Sequence, residues 1–354
     1  MSLANRPILR ALLVFLLVLG LCALGAAGWV GYTAYQFLHV PPEKPGENVE
    51  IVIYPNTSVR ELSAQLVEKH AVTNADYFQL LVRAQKAGKR FKSGRYLVHT
   101  GWTPERVLSQ LISGKPYLER ITLREGLTWW EIGKRLEEKG YVRFEDFQAV
   151  IHDPENLRYW GIPLDSAEGF LYPDTYRIMR PLELNAASAK SIASRLIDTF
   201  WRKTAHLWPE GKRPGPKDAE TVRKLVTLAS IVEKETSVPE ERARVAGVYA
   251  NRIQKGMLLQ ADPTIIYGIG PSFKPPILRS QLENAANPYN TYKNPGLPPG
   301  PICSPGIRCL EAAAAPERHD YIFFVANGNG GGHTFSTTLE EHNRAVQVYR
   351  ALQR

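Results

Sequence analysis

The amino-acid sequence predicts an α+β protein that begins with a single transmembrane helix. Three observations predict this class: an unbroken apolar run near the N-terminus, a duplicated pattern of strand, turn and helix, and a C-terminal half in which helical patterns alternate with long loops. With 354 residues, 44% of them hydrophobic and 22% charged, the chain is long enough for two or three folded units with their own cores. This composition excludes a disordered protein.

The first predicted element is a run of 22 apolar or small residues from Ala11 to Tyr32. At about 1.5 Å rise per residue, this run can cross a hydrocarbon layer of roughly 30 Å, so we predict a transmembrane helix. Arg6 and Arg10 precede the run, and the first acidic residue, Glu43, follows it. The positive-inside rule therefore places residues 1–10 in the cytoplasm as a short tail and the rest of the chain outside the membrane.

A cleaved signal peptide is the alternative, because Ala23-Leu24-Gly25 is small enough for a processing site. The length of the run and an aromatic belt favour an uncleaved anchor. That belt consists of Trp29, Tyr32 and Tyr35. The prolines that follow predict an extended linker, clear of the bilayer, over residues 33–48.

Two copies of one pattern follow, seventy residues apart. Residues 51–69, IVIYPNTSVRELSAQLVEK, align without a gap on residues 121–139, ITLREGLTWWEIGKRLEEK. In each copy a short strand leads to a Ser or Thr three residues before a Glu, the signature of a helix capping box. Units of this size resemble a LysM-like module, which binds wall glycans, and we assign residues 49–162 to this region. Packing modules without a ligand are the alternative, and Trp129 and Trp130 either stack on sugars or fill a core.

The stretch from Leu228 to Gly270 places a carboxylate on the apolar face of a helix. One side of this helix, which begins near Asp218, carries apolar residues at spacings of four and three, namely Val222, Val226 and Ala229. Glu233 follows on the same side, whereas Glu235 is predicted to point into solvent. Burial and the negative end of the helix dipole both favour a neutral carboxyl group, as a general acid requires. A surface Glu in a charged cluster is the alternative.

Several classes of function are excluded by missing signatures. The net charge of +9 comes from scattered basic residues without a zinc-finger spacing or a basic helix, so we expect no nucleic acid. An anionic wall polymer or a membrane surface fits this charge. The glycine-rich stretch 328–332 lacks the Lys of a phosphate loop, and no HExxH spacing predicts a metal. Cys303 and Cys309 either form a disulfide or remain two thiols.

Long loops rich in Pro, Gly, Asn and Tyr follow the Glu233 helix, and such loops are expensive to order unless they line a site. In order, the motifs EGFLYPDTY, LASIVEKET, LQADPTIIYG, YNTYKNPGLPPGPICSPG and GGHTFSTTLEEHN resemble those of the endolytic murein transglycosylase family, also called YceG-like. With the N-terminal helix and the LysM-like region, the resemblance covers nearly the whole chain.

The resemblance implies a bacterial cytoplasmic-membrane protein without a cofactor, whose α+β catalytic domain occupies residues 163–354. Its implied reaction cuts the bond between N-acetylmuramic acid and N-acetylglucosamine within nascent peptidoglycan strands, leaves a 1,6-anhydro end and so terminates elongation. The first Glu of EKET, Glu233, is the implied acid. A single carboxyl group suffices because the C6 hydroxyl of the sugar is the nucleophile. The predicted substrate-binding residues are Gln260, Asp262, Tyr289, Asn290, Tyr292 and His333.

Two alternatives stay open at this point. Asp262 either assists the reaction or has a helix N-cap or turn role ahead of Pro263. The whole protein is either the lyase or a non-catalytic membrane anchor that binds peptidoglycan and positions wall synthases. The predicted partners are glycan strands, the cytoplasmic membrane and wall synthases. A membrane-anchored peptidase is excluded, because the sequence has neither a nucleophile motif nor a metal signature.

Overall fold

The computed structural model describes residues 7–328 and 331–353. Residues 1–6 of the predicted cytoplasmic tail, which include Arg6, lie outside the described residues. Residues 329–330 of the glycine-rich stretch also lie outside them. The fold mixes helices with small two-stranded sheets. It divides into two compact units, Met1–Glu119 and Arg120–Arg354, which are described separately.

The first unit packs helices against one antiparallel pair of strands. Its elements are α1 (Pro7–His39), β1 (Asn48–Ile53), α2 (Val59–Glu68), α3 (Ala75–Ala84), β2 (Gly94–His99) and α4 (Pro104–Ile112). The strands pair from Asn48↔His99 to Ile53↔Gly94, and alternate residues of both point into one apolar core. Leu62 and Leu66, four residues apart on one side of α2, complete this core.

Helix α1 is long and apolar enough, over Arg10–His39, to cross a membrane. Its side chains from Arg10 to Tyr32 are exposed. Its last turns instead enter the core of the first unit, where Phe37 is 4% exposed and its ring centroid lies 5.6 Å from that of Tyr77. The hydroxyls of Thr33 and Tyr77 are 2.6 Å apart. The end of α1 is therefore part of the folded unit.

The segment predicted as an extended linker, residues 33–48, makes contacts within the first unit. Its first residues complete α1. Further along, the buried hydroxyl of Thr100 donates to Glu43 Oε2 at 2.6 Å and accepts from the backbone N–H of Glu47 at 2.9 Å. The sequence did not predict these contacts, because their partner, Thr100, follows β2 and is more than fifty residues away in the sequence.

The second unit is mostly helical and begins within β3. Its strands are β3 (Glu119–Thr122), β4 (Thr175–Ile178), β5 (Phe323–Ala326) and β6 (His333–Ser336). Its helices are α5 (Trp129–Glu138), α6 (Phe144–His152), α7 (Pro154–Trp160), α8 (Ala186–Lys203), α9 (Ala219–Glu235), α10 (Arg242–Gln254), α11 (Asp262–Ile269), α12 (Arg279–Glu283), α13 (Ile307–Ala314) and α14 (Leu339–Leu352). β3 pairs with β4, and β5 pairs antiparallel with β6.

The sequence repeat is also a repeat of backbone structure. Ser58 and Thr128 each cap a helix by accepting a hydrogen bond from the backbone N–H of the Glu three residues on, and the side chain of each Glu accepts one from the backbone N–H of the cap residue. Both predicted capping boxes are therefore confirmed. Positions with a left-handed φ also correspond: Asn56 (66°) with Gly126 (76°), and His70 (53°) with Gly140 (70°).

The second copy of the repeat belongs to the second unit. Ile121, Ile132 and Leu136 lie in the same core as Val226 of α9. The division of the chain therefore falls after Glu119, whereas the sequence grouped residues 49–162 as one region. The reason is that the apolar stripe of the second copy packs with the helices that follow it.

Helix α9 is the central helix of the second unit. It begins where the sequence predicts, with Asp218 as its N-cap. Every residue from Val226 to Val232 is buried, because α10, α11 and α13 all contact this helix. Each fully buried Val or Ile contributes about 1.5–3 kcal/mol to folding. The stretch of α9 from Val226 to Val232 therefore has no solvent face, in contrast to the one-sided helix predicted.

Candidate active site

Glu233 lies between the turn after β3 and the start of α13. Its Oε2 accepts a 2.9 Å hydrogen bond from the backbone N–H of Gly306, the N-cap of α13. The Cys309 thiol also hydrogen-bonds to this carboxylate, and a Cβ on Gly126 would lie 3.7 Å from Glu233 Cγ. The half-buried Glu233 carboxylate is thus engaged by groups of the fold itself.

Glu235 does not lie on an exposed face of the helix, so the prediction that it points into solvent is wrong. This last residue of α9 is half-buried and lines a cavity of about 290 Å³. The other lining residues are Tyr249, Arg252, Gln260, Asp262, Tyr292, Phe324 and His342. The helical phase was correct, but α9 is covered on more than one side. The face that was taken as exposed is covered by residues of α10 and α11.

The environment of Glu235 suits a proton donor at neutral pH. Burial raises the pKa of this carboxyl group to about 7, and the negative charge of Asp262 adds to the rise. A hydrogen bond from the Tyr249 hydroxyl and the positive charge of Arg252 act in the opposite direction. Near pH 7 the group is therefore present in both protonation states, which general acid and base catalysis requires.

Three of the predicted substrate-binding residues meet at this cavity. The Tyr292 hydroxyl donates to Asp262 Oδ1 at 2.7 Å, and Gln260 lies on the same wall. The Gln260 backbone has a left-handed φ of 50° and donates to the Thr291 carbonyl at 3.1 Å. The N-cap of α11 is Ala261, so Asp262 is the first residue of this helix and not its N-cap. Its carboxylate instead faces the cavity.

The other three predicted residues lie elsewhere. Asn290 is 0% exposed; its amide group donates to the carbonyls of Gln281, Leu282 and Asn284, and its oxygen accepts from the Tyr292 backbone. The Asn290 side chain therefore organises its loop and offers no atom to a substrate. Tyr289 packs on Tyr267 with ring centroids 4.8 Å apart. His333 Nδ1 pairs with Glu241 Oε2 at 2.7 Å.

Sequence reasoning missed a second carboxyl group with an altered pKa, Glu168 of EGFLYPDTY. It is 1% exposed, and burial raises its pKa to about 8. Its oxygens accept from the backbone N–H of Trp129 at 3.0 Å and of Gly169 at 3.2 Å, and it also interacts with the Tyr267 hydroxyl. A carboxylate directly before the largely apolar run Gly169–Pro173 was the available signal. Glu168 joins the start of α5 to this motif rather than lining the cavity.

The sequence also did not point to Arg252 or His342. Arg252 is 8% exposed and donates to the carbonyls of Ile322 and Leu259, both at 2.7 Å. The sequence signal for Arg252 was its position three residues after Tyr249, which places both residues on one side of α10. Within the described ranges, no three His, Cys, Asp or Glu side chains converge as a metal site would need, and Cys303 and Cys309 are free, buried thiols.

Comparison with known proteins identifies the family to which this chain belongs. A sequence profile described as the YceG-like family matches residues 51–348. The chain belongs to the YceG-like family. A solved relative, a yceG-like protein from Listeria monocytogenes, is 30% identical and has a TM-score of 0.54, covering 84% of this chain and 99% of its own.

Two curated relatives of this YceG-like protein carry the name endolytic murein transglycosylase. The one from Bacillus subtilis is 31% identical over 331 residues, which is 87% of each chain. The one from Streptococcus pneumoniae is 27% identical over 356 residues and covers 92% of this chain but 63% of its own length. The similarity therefore extends over both units of the structure.

Proposed function

We propose that this YceG-like protein is an endolytic murein transglycosylase, a lyase that cuts glycan strands between N-acetylmuramic acid and N-acetylglucosamine. Relatives that match most of its length carry that name. The observation that carries the proposal is Glu235, a carboxyl group with a pKa of about 7 in a polar cavity. Such a group can protonate a leaving oxygen at neutral pH.

The proposed reaction needs one acid, which then acts as the base. Glu235 donates its proton to the glycosidic oxygen while the bond between C1 and that oxygen breaks. The resulting carboxylate accepts the proton of the C6 hydroxyl while O6 bonds to C1 and closes the 1,6-anhydro ring. The carboxyl group recovers its proton, and no water is consumed. A hydrolytic glycosidase would instead need a second carboxylate as nucleophile or base.

The cavity also supplies groups for the positive charge that develops at C1. Asp262 offers a carboxylate whose position is fixed by the Tyr292 hydroxyl at 2.7 Å. A preorganised charge of this kind stabilises a transition state more than water does. Gln260 on the same wall is the proposed partner of a sugar hydroxyl. Tyr289 and His333 lie outside the cavity and are proposed to contact sugars farther along the strand. The buried Asn290 is not proposed to contact the substrate.

This assignment moves the acid from Glu233 to Glu235. Glu233 is occupied by the backbone of Gly306 at 2.9 Å, whereas Glu235 faces a cavity that contains three of the predicted binding residues. Glu233 remains the alternative acid that the resemblance implied. Comparing Gln variants of the two residues decides between them.

We further propose that α1 anchors the chain in the cytoplasmic membrane with its N-terminus inside, and that the protein terminates glycan elongation. The first copy of the repeat is proposed as a LysM-like glycan-binding element. A polar cavity of about 370 Å³ beside its turn supports this, with Tyr54, Asn56 and Gln65 among its lining residues. Wall synthases are the proposed protein partners. A mature N-terminus found near Ala26 would overturn the anchor.

The test uses the full chain in detergent with uncrosslinked glycan strands in ¹⁸O-labelled water. Mass spectrometry should find new 1,6-anhydro ends without ¹⁸O, and long strands should shorten from within. Incorporation of ¹⁸O at the new ends would show hydrolysis and overturn the transglycosylase. Strands that bind but stay intact would instead support the non-catalytic scaffold.

A further inference from the structure

His342 is held in one orientation on the wall of the Glu235 cavity. Thr338 and Glu341 form a capping box that fixes the first turn of α14, and the His342 backbone N–H donates to the Thr338 carbonyl at 3.1 Å. The imidazole ring stacks on Phe323 of β5, with centroids 5.1 Å apart and planes 20° apart. The ring therefore has little freedom to rotate away from the cavity it lines.

The two ring nitrogens of His342 have different surroundings. Nδ1 is buried without a hydrogen-bond partner, whereas Nε2 is not enclosed in this way. Burial and the positive charge of Arg252 lower the pKa of the ring, so it is neutral at pH 7 and carries one N–H. A proton on Nδ1 would bury a donor without an acceptor, which proteins avoid more strictly than an unused acceptor. The N–H therefore belongs on Nε2.

This donor is available to a ligand. Arg252, the other strong donor in the cavity, already donates hydrogen bonds from Nε and Nη1 to the carbonyls of Ile322 and Leu259. A neutral N–H matches a neutral carbonyl acceptor, and Phe324 lines the same cavity with apolar surface. An acetamido group presents both features, a carbonyl oxygen and a methyl group. Because the ring stays neutral, it does not compete with Glu235 for a proton.

We propose that His342 is a specificity-determining residue that donates a hydrogen bond from Nε2 to the acetamido carbonyl of a bound N-acetyl sugar. The sugar is a unit of the glycan strand, so the inference rests on the proposed function.

Three substitutions separate the nitrogens of the ring. In His342→Gln the side-chain amide nitrogen lies near the former Nε2, in His342→Asn it lies near the former Nδ1, and His342→Phe keeps the stacked ring without a donor. For uncrosslinked strands, the Phe and Asn variants should raise KM about tenfold with kcat within about threefold, as loss of one hydrogen bond predicts. The Gln variant should stay within about threefold of the wild type. His206→Phe, an exposed histidine outside the cavity, is the control.

De-N-acetylated strands supply the second measurement. The full-chain wild type should bind acetylated strands more tightly than de-N-acetylated ones, and His342→Phe should reduce this preference about tenfold. An unchanged preference in His342→Phe, or an active Asn variant with an inactive Gln variant, would overturn the contact. If the wild type binds strands but forms no anhydro ends, the transglycosylase fails, and the binding preference still decides the role of His342. Circular dichroism checks that each variant is folded.

Discussion

The hydroxyl of Tyr292 donates a 2.7 Å hydrogen bond to Asp262 Oδ1, joining residues thirty positions apart in the sequence. The bond connects the first turn of α11 to the loop that precedes α13, and both segments line the Glu235 cavity. The loop is in turn fixed by Asn290, whose side chain satisfies three backbone carbonyls. The Asp262 carboxylate, which we propose faces the developing positive charge, is thus positioned by contacts with residues that take no part in the proposed reaction.

Removing this hydrogen bond should lower catalysis more than stability. Tyr292→Phe keeps the half-buried ring but frees the Asp262 carboxylate to rotate, so kcat should fall about five- to twentyfold, as for loss of one hydrogen bond to a charged group. Anhydro-end formation measures the rate, and thermal unfolding should change by only a few degrees. Tyr159→Phe, at a residue that is 72% exposed, is the matched control. A full-rate Tyr292→Phe enzyme would exclude Asp262 orientation as a catalytic factor.

The two Glu residues at the end of α9 should differ sharply. Glu235→Gln cannot donate a proton and should reduce the rate about 10²- to 10⁴-fold. Glu233→Gln retains an oxygen that can accept the hydrogen bond from Gly306, so its rate should stay within about tenfold of the wild type. Release of anhydro products measures both variants, with circular dichroism as the folding control. The reverse order of activities would return the acid to Glu233.

The pH profile should respond to the neighbours of Glu235 with opposite signs. The first chemical step needs the protonated carboxyl group, so kcat/KM should fall as pH rises through about 7. Tyr249→Phe removes a hydrogen bond that lowers this pKa, so the alkaline limb should move to higher pH. Asp262→Asn removes a negative charge that raises the pKa, so the limb should move to lower pH. Shifts in the same direction would contradict this electrostatic assignment.

Glu168 should make stability depend on pH. Its folded pKa of about 8 lies above the ordinary 4.5, so the folded state binds its proton more tightly than the unfolded state does. Its contribution is therefore complete below about pH 4.5 and is lost as pH rises toward 8, with a slope of at most about 1.4 kcal/mol per pH unit. Melting temperatures from pH 5 to 8 should fall less steeply for Glu168→Gln than for the wild type. Equal slopes would mean that Glu168 is ionised in the folded protein.

Local signals in the sequence predicted the local structure well. The start of α9 at Asp218 and the capping boxes of Ser58 and Thr128 all depend on residues within a few positions of each other. The motifs also identified three residues of the cavity, Gln260, Asp262 and Tyr292. These features are short-range, so a single sequence contains them.

The predictions that were wrong concern features that depend on packing between distant segments. Helical spacing gave the correct angle between Glu233 and Glu235 but not the number of neighbours around α9, so the buried side was assigned to one residue alone. The polar loop residue Asn290 fits a binding role until its three carbonyl partners are known. Likewise, the raised pKa of Glu168 depends on its burial in the folded protein, where it accepts a hydrogen bond from Trp129, thirty-nine positions earlier.

The contact between Phe37 and Tyr77 has a mechanical consequence for the first unit. Because α1 continues without interruption into this core, the unit cannot swivel on a flexible stalk. Where α1 crosses a bilayer, any tilt of the helix turns the first unit through the same angle. The height of that unit above the lipid is then set by how deeply the helix inserts, so the unit stays close to the membrane surface.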